Sequence, residues 1–264
     1  MKKWTIAVLC IATILCSSAA FADDDVKVTL GLKGWYNWWT HSATYSDGSS
    51  NSWNNGSAFM IGPSLNLKFG KVFLGASYLQ STSNYKAPDW FDNGGGDTME
   101  FERKDLDLTV GFMFTPYFGA FVGYKTIDAP MKYTNPNSTP TFSGVDMGSW
   151  KLKGPGIGIL GNAPLGRSAA FYGNLAFLSV KQEYEYPATS FVDSTGRTIS
   201  LAGGTTSSYD MTGGALEFGV AFAMTERASA NVGFKYQTFS GDSSAGTTHT
   251  QTFYGPVFGL NLSF

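Results

Sequence analysis

The sequence is poor in cysteine, histidine and charge. Of its 264 residues, 2 are cysteine and 2 are histidine, and Asp, Glu, Lys and Arg together make up 14%. Both cysteines, Cys10 and Cys16, stand near the N terminus, so a chain trimmed there has no disulfide, thiolate metal site or cysteine nucleophile. The formal net charge is −2, which argues against the strongly basic surface of a nucleic-acid-binding protein.

Long apolar runs are also missing, except at the N terminus. The opening stretch MKKWTIAVLCIATILCSSAAFADDD has two lysines, a short apolar run and the small-x-small triplet from Ala20 to Ala22. This order is typical of a secretory signal peptide cleaved after Ala22, and the run is too short for a permanent transmembrane helix. We expect residues 1–22 to be a signal peptide and residues 23–264 to be one exported domain; a retained N-terminal anchor is the alternative.

Glycine (32 residues) and aromatic residues (16%) are abundant, and the apolar residues recur with a period of two. Near the C terminus, for example, Leu216, Phe218, Val220 and Phe222 share one parity, as in a strand with one apolar face. The same alternation predicts ten strands, near residues 26–40, 58–69, 71–82, 99–114, 117–129, 146–160, 169–184, 209–224, 228–240 and 249–264.

The connections between these strands alternate in length. Four are short, FGK, TPY, GNAPLGRS and TER, whereas the other five are long and rich in Ser, Asn, Gly and Thr. An even number of strands with short turns at one end and long loops at the other is the pattern of a transmembrane barrel. We therefore predict an all-β, antiparallel up-and-down transmembrane barrel of about ten strands, with eight strands as the main alternative and a soluble β-sandwich as a remote one.

The last strand, FYGPVFGLNLSF, is the most specific segment. Leu260, Leu262 and Phe264 lie on one parity and the chain ends on the aromatic ring. With this strand, the whole mature chain resembles a Gram-negative outer-membrane β-barrel protein. The resemblance implies that these three residues form the signal read by the barrel-assembly machinery. It also implies periplasmic chaperones, outer-membrane lipid and lipopolysaccharide as partners, with no nucleic acid and an unknown extracellular partner.

Charged residues inside the predicted strands indicate a polar lumen. If each flanking strand pair is joined by a tight turn, Asp107 lies opposite Lys125 and Glu217 lies opposite Lys235. Such cross-strand pairs stabilise a ladder and neutralise charges that are costly in a narrow interior. A charged constriction or a paired-carboxylate active site remains the functional alternative. Six further side chains are also assigned to the lumen: Lys33, Asp105, Lys151, Lys153, Lys181 and Glu183.

Three prolines, Pro63, Pro155 and Pro256, each follow a glycine inside a predicted strand. A closed barrel has no free edge where a missing N–H is harmless, so we expect a bulge at each Gly-Pro pair. In the strand near residues 146–160 the apolar alternation changes phase around Pro155, which supports a bulge there.

Catalytic chemistry has weak support. His41 and His249 are predicted to meet at the long-loop rim, but neither has an acidic residue within two positions, as a metal or acid–base site would favour. The omptins, ten-strand outer-membrane proteases, use acidic pairs and a His-Asp pair at the rim. Asp105 and Asp107 resemble the acidic pair but lie within a strand. We predict no enzyme, no catalytic residue, no cofactor and no metal.

The predicted function is therefore an outer-membrane barrel without a wide pore, with a structural or loop-mediated surface role. A ten-strand wall is only slightly wider than the eight-strand case that side chains fill. A narrow channel for small solutes is the alternative, since inward glycines such as Gly123 and Gly219 would leave space. A hydrolase at the rim is the remote alternative.

Overall fold

Ten long strands form the wall of a closed antiparallel barrel. The structure, a computed structural model, describes residues 26–88, 96–136, 142–187, 189–192, 198–201, 205–243 and 246–264. The proposed signal peptide, with Ala20 and Ala22, lies outside the described residues. The strands are β1 (Val26–Thr44), β2 (Ser50–Phe69), β3 (Val72–Ser81), β4 (Tyr85–Pro88), β5 (Thr98–Phe101), β6 (Lys104–Met113), β7 (Phe118–Asn135), β8 (Phe142–Pro164), β9 (Ala169–Tyr186), β10 (Thr189–Val192), β11 (Thr198–Leu201), β12 (Thr205–Ala223), β13 (Ala228–Asp242) and β14 (Thr248–Ser263).

Neighbouring wall strands are sequential along the chain, and β1 pairs with β14 to close the ring. The short strands β4 and β5 form a hairpin that prolongs the wall beyond β3 and β6, and β5 continues to pair with β7. A second small hairpin, β10–β11, forms a separate two-stranded sheet. The ten-strand up-and-down prediction is confirmed and the eight-strand alternative is excluded. Most wall strands are longer than predicted, chiefly at the long-loop end.

The outer face of the wall is apolar near the short turns. Leu, Val, Ile and Phe side chains that would be buried in a soluble protein are exposed there, for example Leu108, Val122, Ile157, Leu175 and Leu260. A contiguous exposed apolar surface of this extent marks a surface that contacts lipid or another protein. The period-two alternation therefore turns its apolar side outward in this half of the barrel, as transmembrane barrels do.

At the long-loop end the polarity of the two faces of the wall is reversed, with apolar side chains inside the barrel and polar ones outside. On β8, Trp150 and Leu152 point into the barrel and are buried, whereas Ile157 and Ile159 further along point outward and are exposed. From Ser149 to Pro164 the strand keeps one parity, with even-numbered residues inward; nearer the long loop the register with β7 shifts between Met131 and Lys132, and Met147 is the buried residue. Only the environment changes, because the wall near the long loops has an apolar interior and a polar exterior.

Each Gly-Pro pair interrupts one ladder without shifting its register. On β8, Lys153 pairs with Lys181 and Gly156 pairs with Leu178, so the register is the same on both sides of Pro155. The bulge expected at Pro155 is therefore wrong. The ladders between β2 and β3 and between β1 and β14 are interrupted in the same way at the other two pairs.

The glycine of each pair allows the neighbouring backbone to approach. A Cβ on Gly154 would lie 2.1 Å from the carbonyl oxygen of Ser179, and a Cβ on Gly62 or Gly255 would lie 1.9 Å from a neighbouring carbonyl oxygen. Only glycine fits at such a distance from a backbone.

We expect Gly154→Ala to lower the unfolding free energy of the refolded barrel by about 1–3 kcal/mol, because the added methyl group overpacks against backbone. Gly214→Ala is the control: a Cβ there would lie 3.7 Å from its nearest neighbour, the oxygen of Ala176, an ordinary contact. Urea unfolding midpoints measure both changes. Equal midpoints for the two variants would contradict the close approach at Gly154.

Candidate functional site

A cluster of buried aromatic rings fills the lumen in the long-loop half. Trp39 lies at its centre, with ring centroids 5.6 Å from Tyr85, 4.7 Å from Phe101, 5.2 Å from Trp150 and 5.4 Å from Phe253. All five side chains are at most 2% exposed. They come from five different strands, so the cluster spans the lumen from wall to wall. We call this group of five rings the aromatic plug.

On the short-turn side of the plug, charged side chains form a layer across the lumen around Arg103, which we call the charged layer. The Arg103 guanidinium donates to both carboxylate oxygens of Asp105 at 2.6 and 2.7 Å and stacks on the Phe253 ring at 3.9 Å. Arg103 is fully buried and Asp105 is 1% exposed. Arg103 was not among the residues predicted to face the lumen. The sequence did contain a signal for its inward position, because residue 103 has the same parity as Asp105 and Asp107.

The predicted opposite pairs have the expected register but different ion-pair partners. Asp107 pairs with Lys125 in the ladder, and their side chains are 2.8 Å apart. Glu217 is opposite Lys235 in the ladder, but its carboxylate binds the ammonium group of Lys33 at 2.7 Å. Lys235 instead lies 3.5 Å from Asp107. The ladder fixes which residues are opposite, whereas the narrow lumen lets long side chains reach across it.

Four of the residues assigned to the lumen lie on the outside of the barrel. Lys151, Lys153, Lys181 and Glu183 have the outward parity on β8 and β9, opposite to the buried residues Trp150, Leu152, Val180 and Gln182. Their ion pairs run along the outer surface, with Lys153 2.7 Å from Glu183 and Lys151 2.6 Å from Glu185. The assignment failed because it took the apolar side of these strand segments to be the outer one, as it is in the membrane band.

The short-turn half of the lumen holds a cavity of about 550 Å³. The charged layer forms its inner end, where Lys33, Asp107, Lys125, Glu217 and Lys235 line it. Its walls combine amide and hydroxyl side chains with apolar ones, namely Thr29, Ser64, Asn66, Phe73, Ser77, Phe121, Tyr172, Asn174, Leu178, Asn231 and Asn261. The aromatic plug separates this cavity from the long-loop end.

The inward glycines leave less space than expected. A Cβ on Gly123 would lie 2.8 Å from the carbonyl oxygen of Leu108, and one on Gly219 would lie 2.3 Å from that of Val232. The Tyr172 side chain also covers Gly219 and Gly233: an added Cβ would lie 2.9 Å from its ring at Gly219 and 2.6 Å from its hydroxyl oxygen at Gly233. These glycines permit close packing of strands and of the Tyr172 side chain.

The two histidines meet at the long-loop rim as predicted. The Nε2 atom of His41 is 3.1 Å from Nδ1 of His249, so one nitrogen donates a hydrogen bond to the other. His41 stacks on Trp53 at 5.0 Å, and His249 lies 5.3 Å from the Tyr209 ring. Burial, with a smaller contribution from His249, lowers the pKa of His41 to about 4, and burial lowers the pKa of His249 as well. Both rings are therefore neutral at pH 7.

This pair makes the rim sensitive to acid. An unfolded histidine has a pKa of 6.5, so as the pH falls from 6.5 to 4 the opened rim binds a proton that the closed rim does not. We expect the free energy of opening to fall by about 3 kcal/mol over this window. Hydrogen exchange of the β1 and β14 amides measures the opening. His41→Gln should remove most of the pH dependence, and an unchanged pH profile in that variant would contradict the assignment.

Comparisons with known proteins identify the fold. No family model matches the chain, and no curated protein sequence matches it. Among solved structures, the outer membrane protease OmpT from Escherichia coli matches with a TM-score of 0.55 and 15% identity, over 92% of this chain and 98% of that one. The Pseudomonas putida toluene transporter TodX has a TM-score of 0.35 at 9% identity, over 93% of this chain and 91% of that one. Ail, the attachment invasion locus protein of Yersinia pestis, has a TM-score of 0.27 at 10% identity, over 89% and 99%.

The chain thus has the Gram-negative outer-membrane β-barrel fold. At 15% identity the likeness to OmpT extends to the fold alone, and its activity does not transfer to this chain. The described part of the chain contains no helix long and apolar enough to cross a membrane. Within the same ranges, no three His, Cys, Asp or Glu side chains form a group that could hold a metal ion.

Proposed function

We propose that this chain is an integral outer-membrane barrel whose lumen is closed and whose work is done at the long-loop end. The observation that carries the proposal is the pair of layers across the lumen. The aromatic plug and the charged layer around Arg103 and Asp105 both span the barrel, and the five plug rings, Arg103, Asp105 and Lys125 are almost completely buried. A solute would have to displace both layers to pass.

Location in the outer membrane is supported by the apolar outer band near the short turns. Above the band, the outer surface carries charges of both signs in ladder pairs, such as Asp128 with Lys151 and Lys181 with Asp210. This order suits a surface that passes from lipid chains to lipid head groups, and we keep outer-membrane lipid and lipopolysaccharide as the proposed lipid partners.

Phe264, Leu262 and Leu260 face outward and are exposed, which leaves them accessible as the proposed signal for the assembly machinery and its chaperones.

A non-enzymatic role is favoured at the long-loop rim. His41 and His249 contact each other and the aromatic rings of Trp53 and Tyr209. Asp105 is engaged by Arg103, and Asp107 by Lys125 and Lys235, within the charged layer. In this arrangement the histidines and the two carboxylates belong to separate layers, whereas acid–base catalysis needs them to reach the same substrate atom.

A narrow channel is the competing function, because of the cavity in the short-turn half. Planar-bilayer recording of the refolded mature chain separates the two functions. A closed barrel should give no steady unitary conductance, although its folded state is shown by altered migration of the unboiled sample on a gel. A reproducible conductance that is lost in Ala215→Phe, which fills the cavity, would establish the channel and overturn the closed-barrel proposal.

A further inference from the structure

The innermost end of the lumen cavity has a buried ammonium group with few partners. Lys235 is 6% exposed, and an ammonium has three N–H donors. Its Nζ lies 3.5 Å from an oxygen of Asp107 and 4.8 Å from the centre of the Trp35 ring. Asp107 is already bound more closely by Lys125, at 2.8 Å. No hydrogen bond from Lys235 to a side chain is formed within the described parts of the chain.

A second polar side chain at the same place has an unsatisfied atom. Gln237 follows Lys235 on the inward parity of β13, is 2% exposed and lines the cavity. Its Oε1 atom is buried without a hydrogen-bond partner among the described residues. Unsatisfied buried donors and acceptors cost free energy, so the Lys235 ammonium and the Gln237 Oε1 atom indicate a position for a ligand that both accepts and donates hydrogen bonds.

The charged layer itself carries an excess of positive charge. Its cations are Lys33, Arg103, Lys125 and Lys235, and its anions are Asp105, Asp107 and Glu217. Four cations against three carboxylates leave this layer with one more positive than negative charge, and Lys235 shares the carboxylate of Asp107 with Lys125. A monovalent anion beside Lys235 would neutralise this excess charge, because buried charges are stable only when they are paired.

The mouth of the cavity favours the same kind of ligand. Lys27 and Lys68 are directly opposite in the ladder between β1 and β2, at the short-turn rim and on the same parity as the cavity residues Thr29 and Asn66. Two cations at a low-dielectric opening raise the local concentration of anions. Deeper in, Phe73, Phe121 and Leu178 offer an apolar wall.

We propose that the cavity binds a small monovalent organic carboxylate that enters from the short-turn end. Its carboxylate accepts hydrogen bonds from Lys235, in place of the missing partner. Its short apolar body lies against Phe73, Phe121 and Leu178. A proton donor on the ligand, such as a hydroxyl group next to the carboxylate, would reach Gln237. The cavity volume is within the range typical of small-molecule sites.

Isothermal titration of the refolded barrel in neutral detergent tests the site, with sodium butyrate and sodium 2-hydroxybutyrate as probes and 1-butanol as the uncharged control. We expect both carboxylates to bind, the hydroxy acid more tightly, and butanol not to bind. Lys235→Met should weaken butyrate binding at least tenfold, about 1.4 kcal/mol. The matched control is Lys181→Met, which removes an outward lysine and should leave binding unchanged.

Ala215→Phe provides a test that keeps every charge. Ala215 is opposite Gln237 in the ladder and lines the cavity, so a ring there should abolish binding without removing Lys235. Gel migration of unboiled samples checks that both variants fold. The proposal is overturned if wild-type protein binds no butyrate at concentrations on the order of 100 mM. It is also overturned if Lys235→Met and Ala215→Phe both fold and bind normally, or if inorganic phosphate binds more tightly than butyrate. None of these binding results bears on conductance, so the ligand site and the closed-barrel function are tested separately and one proposal can be wrong without the other.

Discussion

Replacing Asp105 with asparagine is expected to lower the free energy of unfolding by about 3–5 kcal/mol, because the change leaves a buried charge without its partner. Asp105 accepts two hydrogen bonds from Arg103 and lies 3.4 Å from Lys125. Both cations are almost fully buried, so water cannot replace the lost carboxylate. Urea unfolding of the refolded barrel, followed by tryptophan fluorescence, measures the loss.

The matched control is Glu185→Gln. Glu185 also forms a short ion pair, at 2.6 Å to Lys151, but its side chain is 50% exposed on the outer surface. Exposed ion pairs contribute about 0–1 kcal/mol, so this variant should unfold close to the wild-type midpoint. Similar losses for Asp105→Asn and Glu185→Gln would contradict the low-dielectric charged layer.

Trp39→Ala is expected to have an effect of similar size for a different reason. Truncating a fully buried tryptophan or phenylalanine costs about 3–5 kcal/mol, from lost apolar burial and the cavity left behind. Trp39 contacts four other rings of the aromatic plug, so the cavity would open at the centre of the lumen. The free energy of unfolding and the quenching of the remaining tryptophans by acrylamide measure the two consequences.

Its neighbour Trp38 is the control. Trp38 points outward, where it stacks on Tyr254 with ring centroids 5.7 Å apart and meets Tyr36 edge to face at 4.7 Å. Trp38→Ala removes the same side chain from the wall surface and should cost less than half as much as Trp39→Ala. If Trp38→Ala were the more destabilising variant, the plug would not be the core of the long-loop half.

The charged layer illustrates how far register can be predicted. The short turns after β6 and β12 fix which residues are opposite, so the ladder positions of Asp107 with Lys125 and of Glu217 with Lys235 followed from counting. The ion pair between Lys33 and Glu217 joins strands that are not neighbours in the wall. It could not be counted from any turn, because it depends on the width of the lumen and the length of the lysine side chain.

The outward lysines show where counting was insufficient. The sequence around Pro155 does change from one apolar parity to the other, and a bulge was one physical explanation. The structure has the other explanation: β8 continues in phase while its surroundings change from lipid-facing apolar residues outside to the aromatic plug inside. Trp150 and Ile157 are therefore both apolar and have opposite orientations. A periodic pattern gives the two faces of a strand but does not state which face meets the interior.

The sequence by itself determined the strands, the alternation of short turns and long loops, the ten-strand barrel and the register at its tight turns. These features depend on residues close together in the chain, and the period of two reports them directly. Only the tertiary structure decided which side chains meet across the lumen, that Arg103 and Trp39 are buried within it, and that Lys235 is left short of partners beside a cavity. Those features arise when the ring closes and brings distant strands to within a side chain's length of each other, which no local pattern records.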